Sequence, residues 1–340
     1  MKNNVIYGRN LLGELPLTVD SPFLLVTMPD LWPIFKDRFD ESKMYLHLVD
    51  SIEETDLDAI IAKYPTVRNI VGLGGGQAID VAKYVAWKAQ LPLFQVPTAL
   101  SVNAPFAQRA AARVDGVIKY VGFKQPETVY IDLDIIQAAP SALNRSGVGD
   151  IFCYYTGHAD WRLADRVGKC EPKWPINEEQ MAEAHAVMMS CYDAADDIRE
   201  MNEHGIRVLV EALRWGGAAF ANNGWSPRPI EGSEHTFFYT LEYLTKKHFL
   251  HGQPVGLGTI LMALLQEDND AEWVKDALDR CGVPYLPEDM GVTWEECVEA
   301  LRYMPTYAEQ AGLWYTAATY YEITDEYLEQ AHELVYRAAK

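Results

Sequence analysis

The run Gly72-Leu73-Gly74-Gly75-Gly76-Gln77-Ala78-Ile79-Asp80 follows an apolar, strand-like segment and opens a segment of helical periodicity. Glycines at such a junction let the backbone approach a phosphate closely, and the unpaired amides and dipole of the following helix favour negative charge, so a pyrophosphate fits there. The run is neither the G-x-G-x-x-G fingerprint nor a P-loop, because no Gly-Lys-Ser/Thr follows. The same glycines would also serve a plain tight connection. One candidate strand later, Val96-Pro97-Thr98-Ala99-Leu100-Ser101-Val102-Asn103 places two hydroxyls and an amide at a carboxyl end, the edge of an open α/β sheet where ligands collect. Capping of the next turn is the competing role for Thr98 and Ser101.

Further along, Asp150 in Ser146-Gly147-Val148-Gly149-Asp150, His235 in Glu231-Gly232-Ser233-Glu234-His235 and His251 in Leu250-His251-Gly252-Gln253-Pro254 offer one carboxylate and two imidazoles. Those groups suit a catalytic divalent metal with an open coordination position. Their separations, roughly 85 and 16 residues, match no compact metal motif, and a histidine beside a glycine also serves as a cap or a satisfied core group. His158, His185, His204 and His248 are equally available on composition, with His185 and His204 in polar helical contexts that suggest the surface.

Elements must carry these groups to one another. Between residues 20 and 135, Phe23 to Thr27, Met44 to Val49, Asn69 to Leu73, Leu93 to Val96 and Thr128 to Ile131 are candidate strands, with helices such as Gln77 to Ala89 between them. That alternation predicts a parallel sheet covered by helices. Beyond Pro140 long 3.6-period stretches dominate: Glu178 to Asp197, Gly205 to Ala221, Ser233 to Lys247 and Asp325 to Ala338. The expected domains are therefore 1–140, an α/β unit binding a dinucleotide, and 141–340, a helical unit binding metal and substrate.

The 340 residues include 29 Lys and Arg against 49 Asp and Glu, a formal net charge of −20. No long basic run appears, which argues against nucleic acid or an anionic membrane as the main partner. Hydrophobic residues at 49% are those of a chain able to bury a sizeable core. Residues 1–17 lack the continuous apolar core of a signal peptide, and no stretch reaches the roughly 20 apolar residues of a membrane-spanning helix, so a cytoplasmic protein is expected. The five scattered cysteines, with no Cys-x-x-Cys pair, suggest neither a disulfide framework nor a zinc ribbon. A small-molecule substrate and a homo-oligomer are expected.

GLGGGQAIDVAKY (72–84), VPTALS (96–101), VYIDLDIIQAAP (129–140), SGVGD (146–150), ADWRLA (159–164), EGSEH (231–235) and FLHGQPVGLGTI (249–260) follow one another in an order that resembles the metal-dependent polyol dehydrogenase superfamily. This superfamily includes glycerol dehydrogenase, iron-containing alcohol dehydrogenases and glycerol-1-phosphate dehydrogenase. The likeness is strongest to the last, through the stretch from SGVGD to ADWRLA and through HGQPVG. It covers about residues 5 to 265, the remainder matching only in helical character. The resemblance implies a Rossmann-like parallel-sheet domain followed by an all-α domain, the dehydroquinate synthase-like fold. It makes Asp150, His235 and His251 the ligands of one divalent metal, Zn²⁺ first, with Fe or Ni as alternatives. It assigns Gly74, Gly75, Gly76 and Asp80 to the pyrophosphate loop of NAD(P), and Thr98 and Ser101 to cofactor contacts. The implied activity is a metal-dependent, NAD(P)-linked oxidation of a small polyol, sugar or aldehyde, phosphorylated or not.

One departure bears on substrate. Where glycerol-1-phosphate dehydrogenases carry Ser-His-Asp-Gly, this chain reads Ser101-Val102-Asn103-Ala104-Pro105, so the substrate-facing carboxylate is replaced by an amide. Asn103 is expected to orient a substrate hydroxyl or carbonyl, and Arg109 to pair with an anionic substrate group if it points inward. Two other readings compete: a dehydroquinate synthase-like sugar-phosphate cyclase using NAD transiently, and a non-catalytic nucleotide-binding protein. Against the cyclase, Pro105-Phe106-Ala107-Gln108-Arg109 offers no lysine for a phosphate site. Asp30 and Asp50 follow candidate strands, and a carboxylate near the ribose 2′-hydroxyl would favour NAD over NADP.

Overall fold

The computed structural model describes residues 4–13, 15, 19, 22–114, 117–218, 225–266 and 269–338, and the chain divides into two compact units, Met1–Pro140 and Ser141–Lys340. In the first unit β1 (Asn4–Gly8), β2 (Phe23–Thr27), β3 (Met44–Leu48), β4 (Asn69–Gly74), β5 (Leu93–Pro97) and β8 (Thr128–Asp132) form one parallel sheet in the order β1-β8-β5-β4-β2-β3. Parallel strands covered on both faces read as unbroken apolar runs, and β2 and β8 are buried at every position. Alternate residues feed two cores: Leu24, Val26 and Ile70 pack with Ala78, Val81 and Val85, whereas Phe23, Leu25 and Val71 pack with Leu11, Leu12 and Tyr130.

Two features escaped the strand pattern. β1 pairs with β8 from Asn4 opposite Thr128 to Gly8 opposite Asp132. An antiparallel hairpin, β6 (Ala110–Val114) and β7 (Val117–Val121), stands outside the main sheet, and its alanine-rich first strand carries little β propensity. The winding order reverses between β2, which is followed by β3 on one side, and β4, which is followed by β5 on the other. Carboxyl ends at such a switch point open a crevice for ligands.

Helix α1 (Gly76–Ala89) starts from that crevice and is buried from Ala78 to Ala86. It carries a residue whose role the sequence reading missed. Lys83, 1% exposed, donates its three ammonium protons to Asp80 Oδ1 (2.8 Å) and to the carbonyls of Ala104 and Arg109 (both 2.9 Å). The segment after β5 thus hangs from α1.

The second unit contains no strand among the described residues. Its main helices are α2 (Gly149–Arg166), α3 (Glu178–Asp193), α4 (Glu203–Ala218), α5 (Ser233–Thr245), α6 (Gly252–Leu265), α7 (Ala271–Cys281), α8 (Trp294–Ala311) and α9 (Asp325–Tyr336). The expected Glu178 to Asp197 helix breaks at Ala194 and resumes as Ala195–Glu200. Residues 219–221 of the expected Gly205 to Ala221 helix lie outside the described residues. α6 is buried on nearly all sides and packs against both α2 and α5. No described helix is long and apolar enough to cross a membrane.

Replacing Lys83 by Met keeps the aliphatic stem but leaves buried acceptors without their donor, which should cost about 3 kcal/mol. The urea midpoint of unfolding should fall accordingly. An unchanged midpoint would mean that the Lys83 contacts contribute nothing net.

Candidate active site

Each unit brings together part of the expected site. In the first, Gly74 closes β4 with φ +152°, a conformation that favours glycine, and a Cβ there would sit 2.8 Å from Cβ of Ala78. A Cβ on Gly75 would meet nothing within 4 Å, so the space before the α1 amides is open, and one on Gly76 would touch Val102 at 3.3 Å. The first amides of α1 have no intrahelical acceptor, as in any helix, and they open on that space. Thr98 is buried, its amide donating to the Gly74 carbonyl at 3.0 Å, which ties the segment after β5 to the glycine turn. Ser101 is half-buried. Asp80 accepts from the Lys83 ammonium at 2.8 Å.

Asn103 begins a turn, its carbonyl accepting from the amides of Phe106 (3.0 Å) and Ala107 (3.2 Å). Arg109 is exposed, and its guanidinium donates to the Tyr120 carbonyl on β7 at 3.4 Å. The structure does not join Arg109 to the other expected residues of this unit. Asp30 and Asp50 are both exposed, beyond β2 and β3 respectively. Met28 and Leu31, either side of Asp30, are the neighbours a Cβ on Gly74 would meet at 3.8 and 3.3 Å, so Asp30 belongs to the rim of the glycine turn. Asp50 follows the edge strand.

In the second unit Asp150, His235 and His251 converge, their ligand atoms all lying within 4.8 Å of one another. Asp150 Oδ1 is 3.2 Å from His251 Nε2 and 3.6 Å from His235 Nε2, and the two Nε2 atoms are 3.2 Å apart. Glycines create this meeting. Asp150 follows Gly149 at the start of α2, and His251 precedes Gly252 at the start of α6. A Cβ on Gly149 would lie 2.0 Å from the Gly252 carbonyl oxygen, and one on Gly252 would lie 1.8 Å from the Ser146 carbonyl oxygen. Gly258 brings α6 equally close to α5, where a Cβ would lie 2.8 Å from the Glu234 carbonyl oxygen.

The carboxylates and imidazoles of the cluster shift one another's charge. Burial alone would raise the Asp150 pKa, but His251 and His235 hold it well below the usual carboxylate range. Burial opposes charge on His235, yet Asp150 and Glu234 push its pKa up to about 10. Asp150 Oδ2 is buried with no hydrogen-bond partner. One carboxylate and two imidazole nitrogens, with an unsatisfied oxygen among them, are a donor set that can hold a divalent cation.

Cys153, Glu234 and His235 form a second group of the same kind. Its atoms are otherwise engaged. Cys153 Sγ donates to the carbonyls of Asp150 and Ile230 at 3.3 Å, and burial followed by the nearby carboxylates pushes its thiol well up. Of the remaining histidines, His204 and His248 are exposed beside Asp197 and Glu242, and His185 is exposed. Burial, then His185 and Arg162, brings His158 down to about 3.

Glu234 and Asp160 were present in quoted motifs but not assigned roles. Glu234 Oε1 accepts from the Gly232 amide (2.6 Å) and His235 Nδ1 (2.9 Å), and Oε2 accepts from the Thr156 hydroxyl (2.7 Å). Asp160 Oδ2 accepts from the Ser233 amide at 2.6 Å, capping α5, while Oδ1 accepts from Gln266 and from the Ala317 amide. Burial and then the Glu234 charge raise Asp160 to about 7.

Known proteins resemble this chain in sequence and in fold. The iron-containing alcohol dehydrogenase family matches residues 34–140. A glycerol-1-phosphate dehydrogenase [NAD(P)+] of Sulfurisphaera tokodaii is 34% identical over 295 residues, covering 84% of this chain and 82% of that protein. Among solved structures, a probable glycerol dehydrogenase from Sinorhizobium meliloti superposes with a TM-score of 0.73 at 20% identity, over 97% of this chain and 95% of the other. The 2-epi-5-epi-valiolone synthase of Streptomyces hygroscopicus, with NAD+ and Zn2+ bound, superposes at 0.68 and 14% identity, over 99% and 98%, which is a likeness of fold alone. Both superpositions lie at or below 20% identity and show the fold alone, whereas the relative of Sulfurisphaera tokodaii shows the family. The chain belongs to the glycerol-1-phosphate dehydrogenase family of iron-containing alcohol dehydrogenases, which are NAD(P)-linked oxidoreductases.

Proposed function

We propose that this chain interconverts a hydroxyl and a carbonyl of a small polyol, using NAD and one divalent cation held by Asp150, His235 and His251. The observation that carries this reading is the convergence of those three side chains, the Asp150 carboxylate keeping its other oxygen, Oδ2, without a hydrogen-bond partner. Two imidazoles and a carboxylate suit Zn²⁺ with an open position, and the same set also accepts Fe²⁺ or Ni²⁺. When bound, such a cation lowers the pKa of a hydroxyl and stabilises the negative charge that develops as hydride leaves.

The chain supplies position and field. Asp150 keeps a negative charge among the imidazoles, and the contact of His235 Nδ1 with Glu234 leaves Nε2 toward Asp150 and His251. Gly74, Gly75 and Gly76 with the α1 amides bind the pyrophosphate, and Thr98 and Ser101 contact the cofactor beyond it. Asn103 orients a substrate hydroxyl or carbonyl with a neutral amide. Arg109, exposed and with its guanidinium on the Tyr120 carbonyl, is the candidate to pair with an anionic substrate group. Glycerol 1-phosphate is the first substrate to test, on the names of the sequence relatives.

NAD is preferred to NADP, because Asp30 stands at the rim of the glycine turn beside the switch point, where a carboxylate accepts from the ribose 2′-hydroxyl and repels a 2′-phosphate. Asp30→Gly should therefore lower the ratio of kcat/KM for NAD over NADP by about tenfold or more, the range expected for one charge-assisted hydrogen bond. An unchanged ratio would remove Asp30 from cofactor selection.

His251→Ala should leave the fold intact, abolish retention of Zn²⁺ through gel filtration and reduce nicotinamide-linked turnover to background. Elemental analysis showing one equivalent of metal still bound in that variant would rule out the assigned centre.

A further inference from the structure

We infer that Glu234 is a positioning residue of the cation site, which fixes the tautomer and the ring orientation of His235 through Nδ1. This inference rests on the reading of Asp150, His235 and His251 as the cation ligands. A histidine can present Nε2 to a metal only if the proton resides on Nδ1 and the ring faces the right way. His235 Nδ1 lies 2.9 Å from Glu234 Oε1, and His235 Nε2 is the nitrogen near Asp150 and His251. Glu234 Oε1 accepts from the Gly232 amide at the same place and Oε2 from the Thr156 hydroxyl, so the acceptor stands at Glu234 and the ring hydrogen at Nδ1.

Glu234 can do this only because it is itself immobile. It is fully buried, and the Gly232 amide and the Thr156 hydroxyl hold its two oxygens at 2.6 and 2.7 Å. Gly232 is required at its place: a Cβ there would lie 2.5 Å from Asp160 Oδ2 and 3.0 Å from Glu234 Oε2. The chain between residues 232 and 235 is therefore clamped from one side by Asp160 on the Ser233 amide and from the other by Glu234 on its own backbone. Thr156 belongs to α2, the helix that begins with Asp150, so a single helix supplies one cation ligand and the support for another.

The test is Zn²⁺ affinity, measured by chelator competition on the metal-stripped full chain, with the visible spectrum of the Co²⁺-loaded protein as a second readout of geometry. Glu234→Ala should weaken Zn²⁺ binding by 10- to 100-fold, the range found when the partner of a ligating histidine is removed, and should alter the Co²⁺ spectrum. Glu234→Gln retains an acceptor oxygen for Nδ1 and the Gly232 amide, and should restore affinity to within about threefold, with a wild-type Co²⁺ spectrum. Wild-type affinity and spectrum in Glu234→Ala would overturn the inference, as would a loss in Glu234→Gln equal to that in Glu234→Ala. If Glu234→Ala does not fold, Thr156→Val frees Oε2 and should lower affinity threefold or more, whereas unchanged affinity would again overturn the inference. His251→Ala serves as the control: if it binds Zn²⁺ normally, the ligand assignment fails, whatever Glu234 does.

Discussion

The backbones of α2 and α6 touch at Gly149 and Gly252, with no room for a single carbon on either residue. Interiors packed at crystal density do not absorb a methyl group at a distance of 2 Å, so these two positions accept only glycine without movement of a helix. The contact matters because of what lies next to it. Asp150 is one residue past Gly149 and His251 is one residue before Gly252, so the start of each helix carries a ligand to the other. Gly258 repeats the arrangement between α6 and α5, the helix that brings His235.

Bringing these groups together buries several negative charges in one small volume. Asp150, Asp160 and Glu234 are all buried, and among the described residues their hydrogen-bond partners include no arginine or lysine. Backbone amides, a hydroxyl and imidazole protons offset part of that charge, while Asp160, raised to about 7 by burial and by Glu234, is poised to share a proton. A divalent cation between Asp150 and the two Nε2 atoms would neutralise what remains. Stability and function thus draw on the same charge, and the site need not be built from strained backbone. Arg228 presents a contrast within the same unit: fully buried, it is matched by both oxygens of Glu171 and by the Tyr315 carbonyl, and it fixes the segment leading into α5.

Much of the first unit was legible because its parallel strands are continuous apolar runs. Phe23–Thr27 was read with its observed bounds, and β4, β5 and β8 were each read one residue short. β1 and the β6–β7 hairpin were not read: the first has no fully buried residue and no long apolar run, and the second begins in an alanine run with no alternation. In the second unit α2 and α6, the two helices that matter most to the site, gave no helical pattern. Gly149, Gly157, Gly252, Gly256 and Gly258, with Pro254, read as breakers, and α6 is apolar all round so that it shows no stripe. The glycines that permit the close crossing are those that erase the helical signal. The three ligand candidates came from motif order, and their convergence depended on this crossing, which spacing along the chain does not encode.

The most direct measurement is anomalous X-ray scattering across the zinc absorption edge, on crystals of the full chain grown with Zn²⁺. One peak per chain is predicted, bonded at about 2.0–2.2 Å to Asp150 oxygen and to the Nε2 atoms of His235 and His251. A peak at Cys153 and Glu234, or none between Asp150 and the two imidazoles, would contradict it.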